Sequence, residues 1–252
     1  STRIVRFATT LVGHYRGGLG MVAVLSCMLF SGVSGSAVAD AAAIGAALIP
    51  AMTRKGYDRA FSASLVASSA VMGPIIPPSI PMVLYGVLAG VSIADLFVAG
   101  IIPGLMIGIS LMIVCYFDAV RNDYPREPRA TLREFFSVAR DAIWALMMPV
   151  IILGGILSGV FTATEAGVAA VVYAFLVGML VYRDLKWPHV SHALVGTVVA
   201  TGVVMFLVAT STLFAWLITV ERLPQLIAET MLGWTSSVVV QLLLINFFLI
   251  VL

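Results

Sequence analysis

Charged residues are scarce in this sequence. Asp, Glu, Lys and Arg make up 10% of its 252 residues, hydrophobic residues make up 61%, and the mean hydropathy is +1.10. A soluble domain carries about 25% charged residues, so the composition predicts a polytopic protein of the lipid bilayer, built here from apolar helices. The net charge of +2 is small and gives no reason to expect binding to nucleic acid.

Residues that would support enzymatic or metal chemistry are also few. The two cysteines, Cys27 and Cys115, fall in apolar segments, so we interpret them as core thiols with no disulfide or metal role. No group of His, Cys and Glu has the spacing of a metal site, and no Gly-rich phosphate loop with a Lys argues for ATP binding. An intramembrane aspartyl protease needs a second buried Asp beside Asp40. The sequence therefore does not predict an enzyme.

Two apolar segments, 18–30 and 41–52, are each predicted to be too short to cross a bilayer. The first has 13 residues and would form a helix roughly 20 Å long, against a bilayer core of about 30 Å. The stretch between them reads SGVSGSAVAD, and basic residues flank the whole of 18–52 on both sides. Because basic residues mark the cytoplasmic side, we predict a re-entrant hairpin rather than the alternative, one long kinked helix.

The segment 60–90 is predicted to be a membrane crossing that is interrupted near its middle. Its centre reads GPIIPPSIP at 73–81, and prolines at this density cannot sit in a regular helix. The flanking apolar pieces are too short to be separate spans, which argues against an extracellular loop between two helices. Broken helices at membrane depth are a usual way to form a binding site in a transporter.

The rest of the chain alternates between apolar spans and polar connections. We predict an interfacial lead-in at 1–17, a span at 96–117, a cytoplasmic loop at 118–141, spans within 142–220, a periplasmic arm at 221–237 and a further membrane segment at 238–252. In this topology 13 of the 14 Lys and Arg residues are cytoplasmic, all except Arg222. The last segment then enters from the side opposite to the hairpin, as in an inverted repeat. We expect the sequence to be a piece of a longer protein.

The sequence FTATE at 161–165 has the pattern of an outer turn followed by a helix start. Either Thr162 or Thr164 is a candidate for the helix cap, and the carboxylate of Glu165 suits the positive end of the helix.

Asp40 is the one acidic residue in the predicted membrane interior, where a carboxylate is costly and indicates function. Three hydroxyls lie close to it in the sequence, those of Ser31, Ser34 and Ser36. Together with carbonyl groups freed at a helix break, they are hard oxygen ligands suited to a cation such as Na⁺. The alternatives are that the serines serve close helix packing and that Asp40 is an ordinary N-cap.

The break at 73–81 offers the same features, with Ser68 and Ser69 directly before it. Helix N-termini at the two breaks carry partial positive charge and suit a substrate carboxylate. The candidate substrate-binding residues at the two breaks are Ser31, Gly35, Ser68, Ser69, Gly73, Pro74, Pro77, Pro78 and Ser79.

At these residues the chain resembles the large membrane subunit of TRAP (tripartite ATP-independent periplasmic) transporters. The matching stretches are 18–52, 56–86, AGIIPGL at 99–105 and PVIILGGILSGVFTATEAGVAA at 149–170. They cover nearly the whole chain. The sequence departs from the family pattern at Ala163, where Pro is expected, which makes that turn less rigid.

The resemblance implies an inverted-repeat elevator transporter of the bacterial inner membrane that uses a Na⁺ gradient and no ATP. The moving transport domain would include 18–117, the static scaffold would include 142–220, and 238–252 would begin a second hairpin. Ser34, Ser36 and Asp40 would fall in the Na⁺ region. A periplasmic binding protein would deliver an organic acid, such as a C4-dicarboxylate or sialic acid, and a small membrane subunit would accompany the large one.

Two other functions stay open at this point. One is a related divalent anion–sodium symporter that works without a binding protein. The other is a membrane interaction subunit that transports nothing, against which the two broken segments argue, since a scaffold gains nothing from breaking helices at membrane depth.

Overall fold

The computed structural model of the protein describes residues 2–122, 124, 127–235 and 237–251. Regular secondary structure is entirely helical over these residues. The chain folds as two compact units, Ser1–Asp184 and Leu185–Leu252.

The first unit is a bundle of helices. Its helices are α1 (Thr2–Val12), α2 (Gly18–Ser34), α3 (Ala37–Arg54), α4 (Arg59–Ala70), α5 (Ile80–Ala89), α6 (Ile93–Arg121), α7 (Leu132–Leu157) and α8 (Ala163–Leu176), which continues as a π-helical turn over Val177–Val181. The second unit contains α9 (Trp187–Val220), α10 (Leu223–Trp234) and α11 (Val238–Val251).

Five helical segments of the described chain are long and apolar enough to cross a membrane, by length and composition. They are α3, α6, α7, α8 with its π-helical turn, and α9. This confirms the helical membrane class. Both arms of the hairpin are longer than the predicted segments 18–30 and 41–52, with 17 residues in α2 and 18 in α3. The prediction that the second arm is too short to cross a bilayer is wrong, because α3 is among the five candidate spans.

The turn between α2 and α3 contains far fewer residues than the predicted stretch 31–40. Only Gly35 and Ser36 lie outside the two helices. Gly35 has a left-handed backbone (φ 59°), which an L-residue adopts only with strain, and its N–H donates to the carbonyl of Ser31 at 3.0 Å. Ser36 is the N-cap of α3 and accepts from the N–H of Ala39 at 3.4 Å. Each helix therefore continues up to its own cap.

The predicted interruption of 60–90 is present, with its boundaries moved toward the N-terminus. Helix α4 ends at Ala70 and α5 begins at Ile80. Pro81 belongs to α5, because a proline in the first turn of a helix removes no intrahelical hydrogen bond. Ser79 caps α5 by accepting from the N–H of Met82 at 3.3 Å, and its hydroxyl donates to the carbonyl of Pro74 at 2.6 Å.

The helices on either side of the predicted loop 118–141 are longer than the sequence indicated. Helix α6 continues to Arg121 and α7 begins at Leu132, after Thr131 accepts from the N–H of Glu134 at 3.3 Å. The charged residues at both ends of this stretch thus belong to helices rather than to a loop, and the connection is less than half as long as predicted.

Helix α2 lies at the centre of the first unit and contacts α1, α3, α4, α6 and α7. Its buried residues join a core that includes Ile44 and Leu48 of α3 and Val66 of α4. Cys27 and Cys115 are both buried in this core, which confirms their predicted core position. Gly20 allows the close approach of α6, since a Cβ at this position would lie 2.2 Å from the sulfur of Cys115.

In the structure Thr162, and not Thr164, is the N-cap of α8. Its hydroxyl accepts from the N–H of Glu165 at 3.3 Å, and the carboxylate of Glu165 accepts from the N–H of Thr162 at 2.8 Å, which completes a capping box.

We predict that Thr162→Ala lowers the free energy of unfolding by about 1 kcal/mol, because it removes the hydroxyl that accepts from the N–H of Glu165 in the first turn. Thr164→Ala is the matched control, since Thr164 lies inside the helix and should leave stability nearly unchanged. Denaturant unfolding of the purified protein in detergent measures both. Equal losses in the two variants would contradict the assignment.

Candidate functional site

The two helix breaks, separated by some 40 residues in the sequence, are in contact in the structure. Gly73 packs so closely on the start of α3 that a Cβ there would lie 2.8 Å from Oδ2 of Asp40 and 2.9 Å from the backbone nitrogen of Ala37. A Cβ at Gly35 would lie 2.8 Å from the carbonyl oxygen of Pro78. Glycine at both positions therefore allows the α2–α3 turn to dock on the 71–79 segment.

Asp40 is fully buried at this junction, in the first turn of α3. Its Oδ2 lies 2.7 Å from the hydroxyl of Ser31, and its Oδ1 accepts a hydrogen bond from Ser34. Both serines belong to the last turn of α2, so the carboxylate joins the two arms of the hairpin. The interpretation of Asp40 as an N-cap is wrong, because Ser36 is the N-cap of α3.

The cluster around Asp40 holds more oxygen contacts than hydroxyl protons. The hydroxyl of Ser31 lies 2.7 Å from both Asp40 and the carbonyl oxygen of Cys27, and it can donate to only one of them at a time. Ser34 supplies one further proton and itself accepts from the N–H of Ser36 at 3.2 Å. A carboxylate, two hydroxyls and a carbonyl at such short distances fit a small hard cation, which would supply the missing positive charge.

Helix ends add to the electrostatics of the cluster. Asp40 lies in the first turn of α3, where the partial positive charge of the helix favours a carboxylate by about 0.3–1 kcal/mol, and more in buried settings. The last turn of α2 ends beside it and presents carbonyl groups with partial negative charge. The cluster thus lies between the N-terminal end of α3, which stabilises negative charge, and the C-terminal end of α2, which stabilises positive charge. No three His, Cys, Asp or Glu side chains come together anywhere in the described ranges, the surroundings of Asp40 included.

The other candidate residues are distributed unevenly around the junction. Ser69 is buried and donates to the carbonyl of Leu65 in its own helix at 2.7 Å. Ser68, one position earlier, is exposed. Pro74 and Ser79 are linked across the break by the hydrogen bond described above, which gives the 71–79 segment a fixed shape.

A cavity of about 250 Å³ lies beside the junction. On one side it is lined by the hairpin turn and the second break, including Ser34, Gly35, Pro78 and Ser79. The opposite side belongs to helices that carry no sequence signal of a site: Phe97, Ile152, Ile156, Ala163 and Gly167. Sequence analysis missed these residues because apolar side chains in a span look the same whether they face lipid or a cavity.

A helical membrane protein with two broken segments that meet around a buried carboxylate belongs to the class of membrane transporters. The whole sequence, residues 1–252, matches the family described as "Tripartite ATP-independent periplasmic transporter, DctM component". The chain therefore belongs to the DctM family, the large permease component of TRAP transporters, which are inner-membrane transport proteins and not enzymes. The resemblance stated from the sequence is confirmed.

Several relatives are more than 40% identical to this chain over the aligned residues. The 2,3-diketo-L-gulonate TRAP transporter large permease protein YiaN of Escherichia coli is 43% identical over 91% of this chain and 54% of its own length. The C4-dicarboxylate TRAP transporter large permease protein DctM of Pseudomonas aeruginosa is 43% identical over 96% and 58%. The sialic acid TRAP transporter large permease protein SiaM of Vibrio cholerae is 43% identical over 98% and 58%. The chain thus spans about half the length of these relatives.

We predict that Gly73→Ala impairs transport by the complete permease, because the added methyl group would push the 71–79 segment off Asp40 and the start of α3. Overpacking of this kind costs about 1–3 kcal/mol. Gly154→Ala in α7 is the matched control, since nothing lies within 4 Å of a Cβ at that position. Uptake at matched expression is the measurement, and equal activity of the two variants would show that the breaks do not need this contact.

Proposed function

We propose that this chain is part of the large transmembrane subunit of a Na⁺-coupled importer of a small organic acid, delivered by a periplasmic binding protein. The observation that carries the proposal is the contact of the two breaks around buried Asp40. Burying a carboxylate in a membrane is costly, and a bound cation would offset that cost. Family membership supports the same function.

Sodium is the cation that the cluster favours. Its donors are the carboxylate of Asp40, the hydroxyls of Ser31 and Ser34 and the carbonyl of Cys27. These are hard oxygen donors without a thiolate or imidazole, which argues against a transition metal. Ser36 would contribute backbone or hydroxyl oxygen at the turn, in addition to capping α3. The coupling ion would thus bind where the two arms of the hairpin join.

The substrate would bind beside the ion, in the cavity between the second break and the helices opposite. The lining of that cavity includes Pro78 and Ser79, directly before the positive N-terminal end of α5, which suits a carboxylate. A volume of about 250 Å³ suits a small ligand, because drug-sized ligands occupy pockets of roughly 300–1,000 Å³. The names of the relatives, which include C4-dicarboxylate and sialic acid permeases, agree with an organic acid.

Transport would follow an elevator mechanism. Helices α2 and α3 would form a re-entrant hairpin, and the transport part 18–117 would move against the scaffold part 142–220. A small membrane subunit would complete the membrane complex. The contact of α2 with α7, where Pro149 lies 3.0 Å from a Cβ placed on Gly32, is one place where the two parts would slide.

The hairpin makes a prediction about topology. Because α2 and α3 would enter and leave on one side, Arg16 and Lys55 should both be cytoplasmic. Single cysteines at the two positions should therefore resist an impermeant thiol reagent in intact cells and react after permeabilisation. Arg222→Cys is the control that should react from the periplasm. A reactive cysteine at position 16 or 55 in intact cells would contradict the hairpin.

The ion site makes a second prediction. Asp40→Asn keeps the shape of the side chain but removes its charge, and Ser34→Ala removes one oxygen. Losing such a group costs about 1–3 kcal/mol, so the half-saturating Na⁺ concentration for uptake should rise roughly tenfold to a hundredfold.

The measurement is the Na⁺ dependence of uptake by the complete transporter in liposomes, with its partner subunit and binding protein. Ser64→Ala is the matched control, because Ser64 is an exposed serine of α4 and should leave the Na⁺ dependence unchanged. An unchanged half-saturating concentration in both Asp40→Asn and Ser34→Ala would exclude the cluster as the ion site.

A further inference from the structure

The connection between α6 and α7 is fastened to the turn between α3 and α4. The ring of Tyr124 stacks on that of Tyr57, with centroids 4.0 Å apart and an interplanar angle of 25°. Oε1 of Glu127 lies 3.0 Å from Nζ of Lys55. Both partners belong to the transport part of the chain, so the connection is held there before it reaches α7.

Three kinds of contact hold the connection between α6 and α7 in this position. Tyr57 is 3% exposed, so the stacked ring rests on a buried platform. The side chains of Lys55 and Glu127 are 49% and 26% exposed, and an ion pair of this kind contributes little alone. The N–H of Glu127 also donates to the carbonyl of Gly13 at 3.2 Å, beside the entry to α2. A stacked ring, an ion pair and a backbone hydrogen bond together hold the connection as far as Glu127.

Beyond Glu127 the attachments stop. No hydrogen bond or ion pair joins Pro128, Arg129 or Ala130 to another described residue. Thr131 then caps α7 through the N–H of Glu134. Three residues therefore separate the last anchor on the transport part from the first residue fixed to α7.

We propose that residues 128–130 are the hinge between the moving and static parts, and that Tyr124 and Glu127 travel with the transport part. The inference rests on the proposed elevator mechanism and adds the position at which the chain bends. Hinges are a few loop or element-terminal residues that absorb the change in backbone angles. The competing arrangement places the bend directly after the last residue of α6, with Tyr124 and Glu127 fixed to α7.

Two cross-links in the full-length transporter distinguish these arrangements. Lys55→Cys with Glu127→Cys replaces the ion pair by a covalent bridge within the proposed moving part. Glu127→Cys with Arg133→Cys bridges the proposed hinge itself, and Arg133 is exposed in the first turn of α7. The same short bismaleimide is applied to both pairs and to each single variant in liposomes, and Na⁺-driven uptake is compared before and after reaction.

We expect the 55–127 bridge to leave uptake within about twofold and the 127–133 bridge to reduce it by roughly tenfold or more, because only the second stiffens the hinge. The reverse pattern would place the bend after α6 and overturn the proposal. Equal effects of the two bridges, whether both block or both permit uptake, would overturn it as well. Absence of Na⁺-driven uptake before cross-linking would instead contradict the proposed function itself.

Discussion

The hydrogen bonding of Asp40 to Ser31 and Ser34 is the interaction on which the site depends. A carboxylate buried without partners costs several kcal/mol, so Asp40 and the last turn of α2 stabilise one another only in this arrangement. The bonds close the tip of the hairpin and fix the direction in which α3 leaves it. The same carboxylate forms part of the surface on which Gly73 rests. The tip of the hairpin and the proposed ion site therefore depend on the same hydrogen bonds.

Two kinds of residue make the junction possible, and each acts through the backbone. Prolines end the helical pattern within 71–79 and free carbonyl groups near the hairpin turn. Glycines at positions 35 and 73 let the two segments approach to distances that any side chain would prevent. The close packing of the two segments is consequently present without a bound ligand. It is also intolerant of an added methyl group at the contact.

Helix α3 links the proposed ion site to the proposed hinge. Its first turn holds Asp40, and the turn that follows its last residue holds Lys55 and Tyr57, on which Glu127 and Tyr124 rest. An 18-residue helix spans about 27 Å, most of the thickness of a bilayer core. A continuous helix of this length would link a displacement of the hairpin tip to the connection with α7. The two proposals thus concern opposite ends of one structural element.

The sequence by itself determined the membrane class, the family and both helix breaks, because composition, basic flanks and proline density act locally and need no knowledge of packing. It also identified Asp40 and its neighbouring serines, since an acid in an apolar segment stands out whatever surrounds it. Only the tertiary structure decided that Ser36 rather than Asp40 caps α3, that Thr162 rather than Thr164 caps α8, and that Gly73 meets Asp40. These outcomes depend on distances between atoms far apart in the sequence or on the backbone angles at a single turn. Neither quantity can be inferred from the spacing of residues along the sequence.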